Sequence, residues 1–219
     1  MANIRLLKYL HTINISLCCF IVKQFYICTF IAHMDSPKTN LNNFNNSWYK
    51  SGASTPVMLL WYFTNLVFFT SRWLPASAFK VFLLRIFGAK VGTGVIIKPA
   101  VNIKYPWRLK IGDHVWIGEQ VWIDNLEDVE IGNNVCISQG AMLLCGNHNY
   151  KKSTFDLMVG KIILEEGTWI GAQTVVCPGV ICRSHAILSV GSVATSELKA
   201  FTIYQGNPAL PVRNRVVSN

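Results

Sequence analysis

From Val91 onward an apolar residue recurs every six positions. It is usually followed by glycine, with a second apolar residue four places on. Ile111-Gly112 leads to Val115, Ile117-Gly118 to Val121 and Ile131-Gly132 to Val135, and Ile170-Gly171 continues the series. A six-residue period matches neither the 3.6 of an α-helix nor the 2 of one long strand. It matches short strands joined by tight corners and stacked as a solenoid. Val91, Ile111 and Ile131 fall into one column, Ile97, Ile117 and Ile137 into a second, and Ile103, Ile123 and Leu143 into a third. Each column advances by twenty, two more than three faces of six would need. The extra residues lie after the third face, around 104–108 and 124–128, and the third expansion runs over 144–161. Beyond it the period is eighteen: Leu164 to Cys182, Ile170 to Leu188, Val176 to Ala194. The pattern predicts an all-β solenoid of about five coils at the ~4.7 Å strand spacing.

Upstream the pattern is different. Residues 57–70 are apolar nearly all round, which predicts a buried or membrane-facing helix too short to span a bilayer. Between Pro75 and Phe87, Phe79, Phe82, Leu83 and Ile86 recur at helical spacing with Lys80 and Arg85 among them, an amphipathic helix that Gly88 ends. These helices are expected to cap the first coil and hide its unpaired edge. The domain reading is therefore a leader or anchor over 1–34 (or an upstream start, with Met34 as the first residue), an arm and helices over 35–90, the solenoid over 91–199 with its loop at 144–161, and a tail over 200–219.

Composition narrows the partners. The net charge of +9 suits a phosphate-bearing partner: a cofactor, an anionic membrane surface or nucleic acid. No Lys/Arg block interleaved with aromatics is present, which sets nucleic acid aside. Seven cysteines, an odd number with no CxxC, argue against a disulfide framework or a zinc site and for a reducing compartment.

The repeats, with NNSWYKSG (45–52), LLRIFGAKVGTGVIIKP (83–99), NIKYPWRLKIGD (102–113), GNHNYKKSTFDL (146–157) and IYQGNPA (203–209), resemble the hexapeptide-repeat acyltransferases, in particular the colanic-acid-biosynthesis (WcaF-like) acetyltransferases. The resemblance implies a left-handed parallel β-helix, a homotrimer, acetyl-CoA as cosubstrate, a sugar acceptor in exopolysaccharide biosynthesis and a cytoplasmic location, with peripheral docking at the inner face of a membrane compatible with the composition. No metal is expected.

Site residues follow from loop chemistry and from that resemblance. His148, on the long excursion, is the expected general base, since imidazole titrates near neutral pH. Asp124 and Asn125 stand one coil below the root of that loop; the resemblance casts Asn125 as an acceptor contact, and the register offers Asp124 as a group that orients a hydroxyl or the imidazole. Glu119 is a second candidate to orient His148, across a subunit boundary. The resemblance places pantetheine along Trp169, Gly171 and Ala172 and then Gly191 and Ser192. It places the nucleotide end near Asn207, Pro208 and Arg213. Ser196 stands where relatives often have Lys, which removes one phosphate contact. His114 and His185 read as turn residues. An N-acyltransferase on an amino sugar or small amine, and a non-catalytic scaffold, are the alternatives. A zinc enzyme of the carbonic anhydrase type on the same fold lacks its closely spaced His pair here.

Overall fold

The computed structural model describes residues 37–218; the expectation of a leader or anchor over 1–34 lies outside them. The chain divides into two compact units, and each is described by itself. In the smaller, residues 37–44 and 150–155 are described: a single 3-10 turn, Leu41–Asn43, is capped by the Asn40 side chain, and the Asn40 amide donates to the Ser153 carbonyl at 2.8 Å. The larger unit holds everything from residue 45 to 149 and from 156 on.

That unit is a left-handed parallel β-helix. Its first coil is β1 (Lys90–Val91), β2 (Ile96–Ile97) and β3 (Asn102–Ile103); the second is β4 (Leu109–Ile111), β5 (Trp116–Ile117) and β6 (Trp122–Asp124); the third is β7 (Val129–Ile131), β8 (Cys136–Ile137) and β9 (Met142–Leu144). A hairpin, β10 (Gly146–His148) and β11 (Leu157–Val159), then leaves the coil. The fourth coil is β12 (Ile162–Leu164), β13 (Trp169–Ile170) and β14 (Val175–Val176), and the fifth is β15 (Ile181–Cys182), β16 (Ile187–Leu188) and β17 (Val193–Ala194). A sixth turn begins with the Leu198 bridge to Cys182 and with β18 (Thr202–Gly206), which lies parallel to β16 and folds back on β19 (Ala209–Asn214).

The columns read from the sequence are the observed ladders. Val91 pairs with Ile111 and Ile111 with Ile131 on the first sheet, Ile97, Ile117 and Ile137 stack on the second, and Ile103, Ile123 and Leu143 on the third. The inward residues of the second and third columns are fully buried. Each β-branched or leucine side chain hidden in this way contributes about 2–3 kcal/mol relative to exposure. Cys182 sits in this core on the first sheet, whereas Cys136 and Cys177 are only half-buried, so those two are not core hydrophobes.

Corners demand unusual backbone. Gly94, His114, Asn134, Gly167 and His185 form one column of left-handed residues, and Ala100, Gln120, Gly140 and Gly191 belong to another. His114 and His185 are thus corner residues; His185 also stacks on Phe201 at 4.7 Å.

Helix α1 (Thr55–Thr64), continued by a π-turn over Asn65–Phe69, and helix α2 (Ser77–Ile86) cap the first coil. Their polar atoms satisfy the open strand edges. Trp61 Nε1 donates to the Ile103 carbonyl at 2.9 Å, Ser77 Oγ exchanges bonds with Ile97, and Lys80 Nζ donates to the Lys98 carbonyl at 2.9 Å. Arg85 bonds the carbonyls of Val91 and Gly92. A buried strand edge left unpaired is costly, which explains why a lysine joins Leu84 among the fully buried side chains of α2. Its burial lowers the Lys80 pKa.

Candidate active site

The corner after the third sheet is built first by its own backbone. Asn125, fully buried, accepts a bond from the Tyr105 amide at 2.9 Å and donates from Nδ2 to the Tyr105 carbonyl at 2.6 Å, locking two successive coils together. Asn125 therefore braces the corner on which the acceptor is expected, with one Nδ2 hydrogen and one Oδ1 lone pair engaged by Tyr105. Asp124 beside it is partly open and pairs with Lys104 at 2.9 Å.

The NNSWYKSG and YPWR segments reinforce the same corner. Tyr49 donates to the Leu126 carbonyl at 2.7 Å, and burial pushes its phenol pKa up to about 12. Trp107 Nε1 donates to the Ser51 carbonyl, while Arg108 bonds the Lys50 carbonyl and pairs with Glu127 at 2.9 Å. The NNSWYKSG arm is thus pinned to the YPWR turn under the root of the hairpin.

Strand β10 leaves from here. The Cys145 amide donates to the Asp124 carbonyl at 3.1 Å, and Leu144 pairs with Asp124 in register, as the twenty-residue period requires. Gly146 follows. A Cβ there would come within 2.5 Å of Leu126 Cδ1, so a larger residue would have to push the Leu126 side chain aside where the strand departs from the corner. His148 is the third residue of β10, half-buried and paired with Leu157 across the hairpin, its amide bonded to Asn147 Oδ1 at 2.7 Å. The excursion predicted as a loop is, at its base, a rigid two-stranded arm. An apolar cleft of about 570 Å³ between α1 and the third sheet, lined by Met58, Leu59, Tyr62, Leu66 and Trp122, ends at Lys104 and Asp124.

The residues expected to hold a cofactor meet along the corner between the second and third sheets. Gly171 donates to the Leu188 carbonyl and Gly191 to the Ala172 carbonyl, tying the fourth and fifth coils. Buried Ser192 accepts from the Gly206 amide at 3.0 Å, which brings the Asn207-Pro208 turn, with its cis peptide, onto the same edge. Trp169 lies exposed below, its Nε1 bonded to Ser138 Oγ at 2.9 Å. Arg213 of β19, also exposed, pairs with Ile203 of β18. Glu119 occupies this edge two coils lower, in a cleft of about 380 Å³ with Lys98, Trp116 and Gln139. The root of the His148 strand and Asp124 stand at the other border of the third sheet, one six-residue face away, roughly 15–20 Å along the strands. One chain therefore sets the root of the His148 strand on Asp124, and Gly171, Ala172, Gly191, Ser192, Asn207 and Pro208 along one edge, on opposite borders of one sheet.

Burial raises the pKa of every thiol among the described residues, that of Cys145 to about 12 and those of Cys136, Cys177 and Cys182 as well. Among the described residues no group of His, Cys, Asp or Glu has the arrangement of a metal site.

No family model matches the chain. A protein named as a colanic acid biosynthesis acetyltransferase, WcaF, from Escherichia coli (strain K12) is 34% identical over 170 residues, covering 77% of this chain and 92% of that one. The chain belongs to the WcaF-like hexapeptide-repeat acetyltransferases. It is an acetyltransferase on that ground, and the fold agrees. The galactoside O-acetyltransferase of E. coli K12, 25% identical over 134 residues, covers 60% of this chain and 66% of its own length. A hexapeptide-repeat acetyltransferase of Vibrio cholerae, solved with acetyl-coenzyme A, superposes with a TM-score of 0.68 at 21% identity, covering 76% of this chain and 92% of that one. For the WcaF-like chain described here, that likeness fixes the fold.

Proposed function

We propose that this enzyme transfers the acetyl group of acetyl-CoA to a sugar hydroxyl during synthesis of an exopolysaccharide, with His148 as general base. The observation that carries the reading is the hairpin arm: a lone imidazole-bearing strand seated by Gly146 and Cys145 on the Asp124 corner. Acetyl-CoA as donor is supported by the V. cholerae relative, solved with that molecule, and O-acetylation of a sugar by the names of the WcaF and galactoside relatives.

In this mechanism the imidazole of His148 takes the proton of the acceptor hydroxyl as its oxygen attacks the thioester carbonyl. The C–O bond forms, the tetrahedral oxyanion collapses, the C–S bond breaks and the thiolate leaves with the proton returned by His148. General base catalysis of this kind contributes about 10²–10⁴-fold. Asp124, at the mouth of the cleft, holds the acceptor or the imidazole. Trp169 gives the pantetheine arm an apolar wall, with Gly171, Ala172, Gly191 and Ser192 along the edge and Asn207, Pro208 and Arg213 toward the nucleotide.

The separation of the two borders of the third sheet supports a site shared in the homotrimer that the family resemblance implies, where the hairpin of one copy meets the glycine-lined edge of the next and Glu119 of that neighbour is a second candidate to orient the imidazole. Work on a cytosolic thioester places the β-helix in the cytoplasm.

The test is thiol release from acetyl-CoA across free, nucleotide-linked and lipid-linked sugars. The reading expects release that depends on a sugar hydroxyl and a product ester cleaved by mild base. A base-stable amide, formed only with amino sugars or amines, would instead select the N-acyltransferase alternative.

A further inference from the structure

An amphipathic surface helix ordinarily turns its apolar stripe to the core. Helix α2 does the reverse: Lys80, Val81 and Leu84 are buried, while Phe79, Phe82 and Ile86 face outward. Helix α1 and its π-turn bury Trp61 and Phe69, half-bury Met58 and Phe68, and expose Leu59, Leu60, Tyr62, Phe63 and Leu66. Leu60 is 61% exposed, Phe63 59%, Trp73 63%, Phe82 56% and Ile86 61%. The two helices share one aromatic surface, because Phe68 touches Trp73 at 6.3 Å and Phe79 at 5.4 Å, and Phe79 stacks on Phe82 at 6.5 Å. A soluble face seldom leaves so large a continuous apolar patch bare.

Charge identifies what covers it. Between Asp35 and Asp113 the chain has ten Lys and Arg and no Asp or Glu. Lys104, Arg108 and Lys110 are neutralised by carboxylates of the next coil. Arg72 and Arg85 instead flank the apolar surface itself, beside Trp73 and Ile86. Bulky aliphatic and aromatic side chains framed by cations and free of acids are the composition that binds the interface of an anionic bilayer. No described helix is long and apolar enough to cross a membrane.

We infer that the outward face of α1 and α2 docks flat on a bilayer containing acidic phospholipid. This stands apart from the acetyl-transfer reading, since Leu60, Phe63, Trp73 and Phe82 do not line the cleft that ends at Asp124. It is tested by co-sedimentation of the full chain with vesicles of phosphatidylcholine alone or with about a third phosphatidylglycerol. Binding should need the anionic lipid, weaken at high salt and fall about tenfold in the triple variant Leu60→Gln/Phe63→Gln/Phe82→Gln. The pair Trp73→Gln and Arg72→Gln, on the connection between the helices, should weaken it independently. Both variants should keep the wild-type oligomeric mass by light scattering. Binding that survives both variants would assign it to another part of the chain, residues 1–36 included, and overturn the inference. A change of oligomeric mass in the variants would overturn it too, by making the face a subunit interface, as would a wild-type chain that ignores anionic vesicles.

Discussion

The amide of Cys145 donates to the carbonyl of Asp124 at 3.1 Å, and this bond sets the point where the hairpin leaves the coil. It places the root of the His148 strand on the one corner that combines a partly open carboxylate, Asp124, with a fully buried amide, Asn125. The two neighbours, alike in size, have separate jobs, and substitution separates them.

Asn125→Ala removes both bonds to Tyr105 and leaves a buried donor and acceptor unpaired. It should cost about 2–4 kcal/mol in urea unfolding, with the KM values of the surviving folded protein little changed. Asp124→Asn should do the opposite: stability nearly unchanged, acceptor KM raised about tenfold, acetyl-CoA KM within about twofold. Steady-state kinetics with each substrate varied in turn, together with urea melts, check both.

Gly171→Ala tests the cofactor edge. Its Cβ would lie 2.6 Å from the Leu188 carbonyl oxygen and 2.8 Å from the Val190 nitrogen, both backbone atoms of the next coil. The fourth and fifth coils must part there. The expected cost is about 1–3 kcal/mol of stability, with an acetyl-CoA KM raised about tenfold while the acceptor KM holds. A shift confined to the acceptor would place the thioester elsewhere.

Acid stability follows from carboxylates bonded between coils. The Thr93 amide, at 2.6 Å, and hydroxyl, at 3.0 Å, hold the Asp113 carboxyl below its ordinary value of 3.8. Lys110 and Lys161 hold Glu130 below its ordinary 4.5, and Arg183 does the same for Glu197. A carboxyl with a lower pKa folded than unfolded stabilises the fold at pH above the unfolded value. That stability is lost as pH falls through the folded value. Melting temperature should therefore drop as pH falls below about 4.5, and Glu130→Gln should flatten part of that slope. These exposed groups contribute less at high salt, so the slope should also shrink there.

The coil was legible because a solenoid stacks equivalent residues. Ile97, Ile117 and Ile137 had to share a column for any of them to be buried, so one period fixed three sheets. The same period put Leu144 over Asp124 and located the root of the excursion. Other features depend on contacts distant in sequence. That α2 turns Phe82 outward and buries Lys80 follows from the open carbonyl of Lys98, which a helical period alone does not reveal. The burial of Asn125 follows from Tyr105 one coil away, and the work of Tyr49 from Leu126. The sequence signal for these braces was present, as the NNSWYKSG and YPWR segments, but pairing them takes three dimensions.

The account centres on His148, and His148→Ala with thiol release from acetyl-CoA tests it most directly. The oligomer and acetyl-CoA binding should be retained while kcat falls at least about 10²-fold. A variant that turns over within about twofold of wild type would show that the hairpin arm carries no catalytic base.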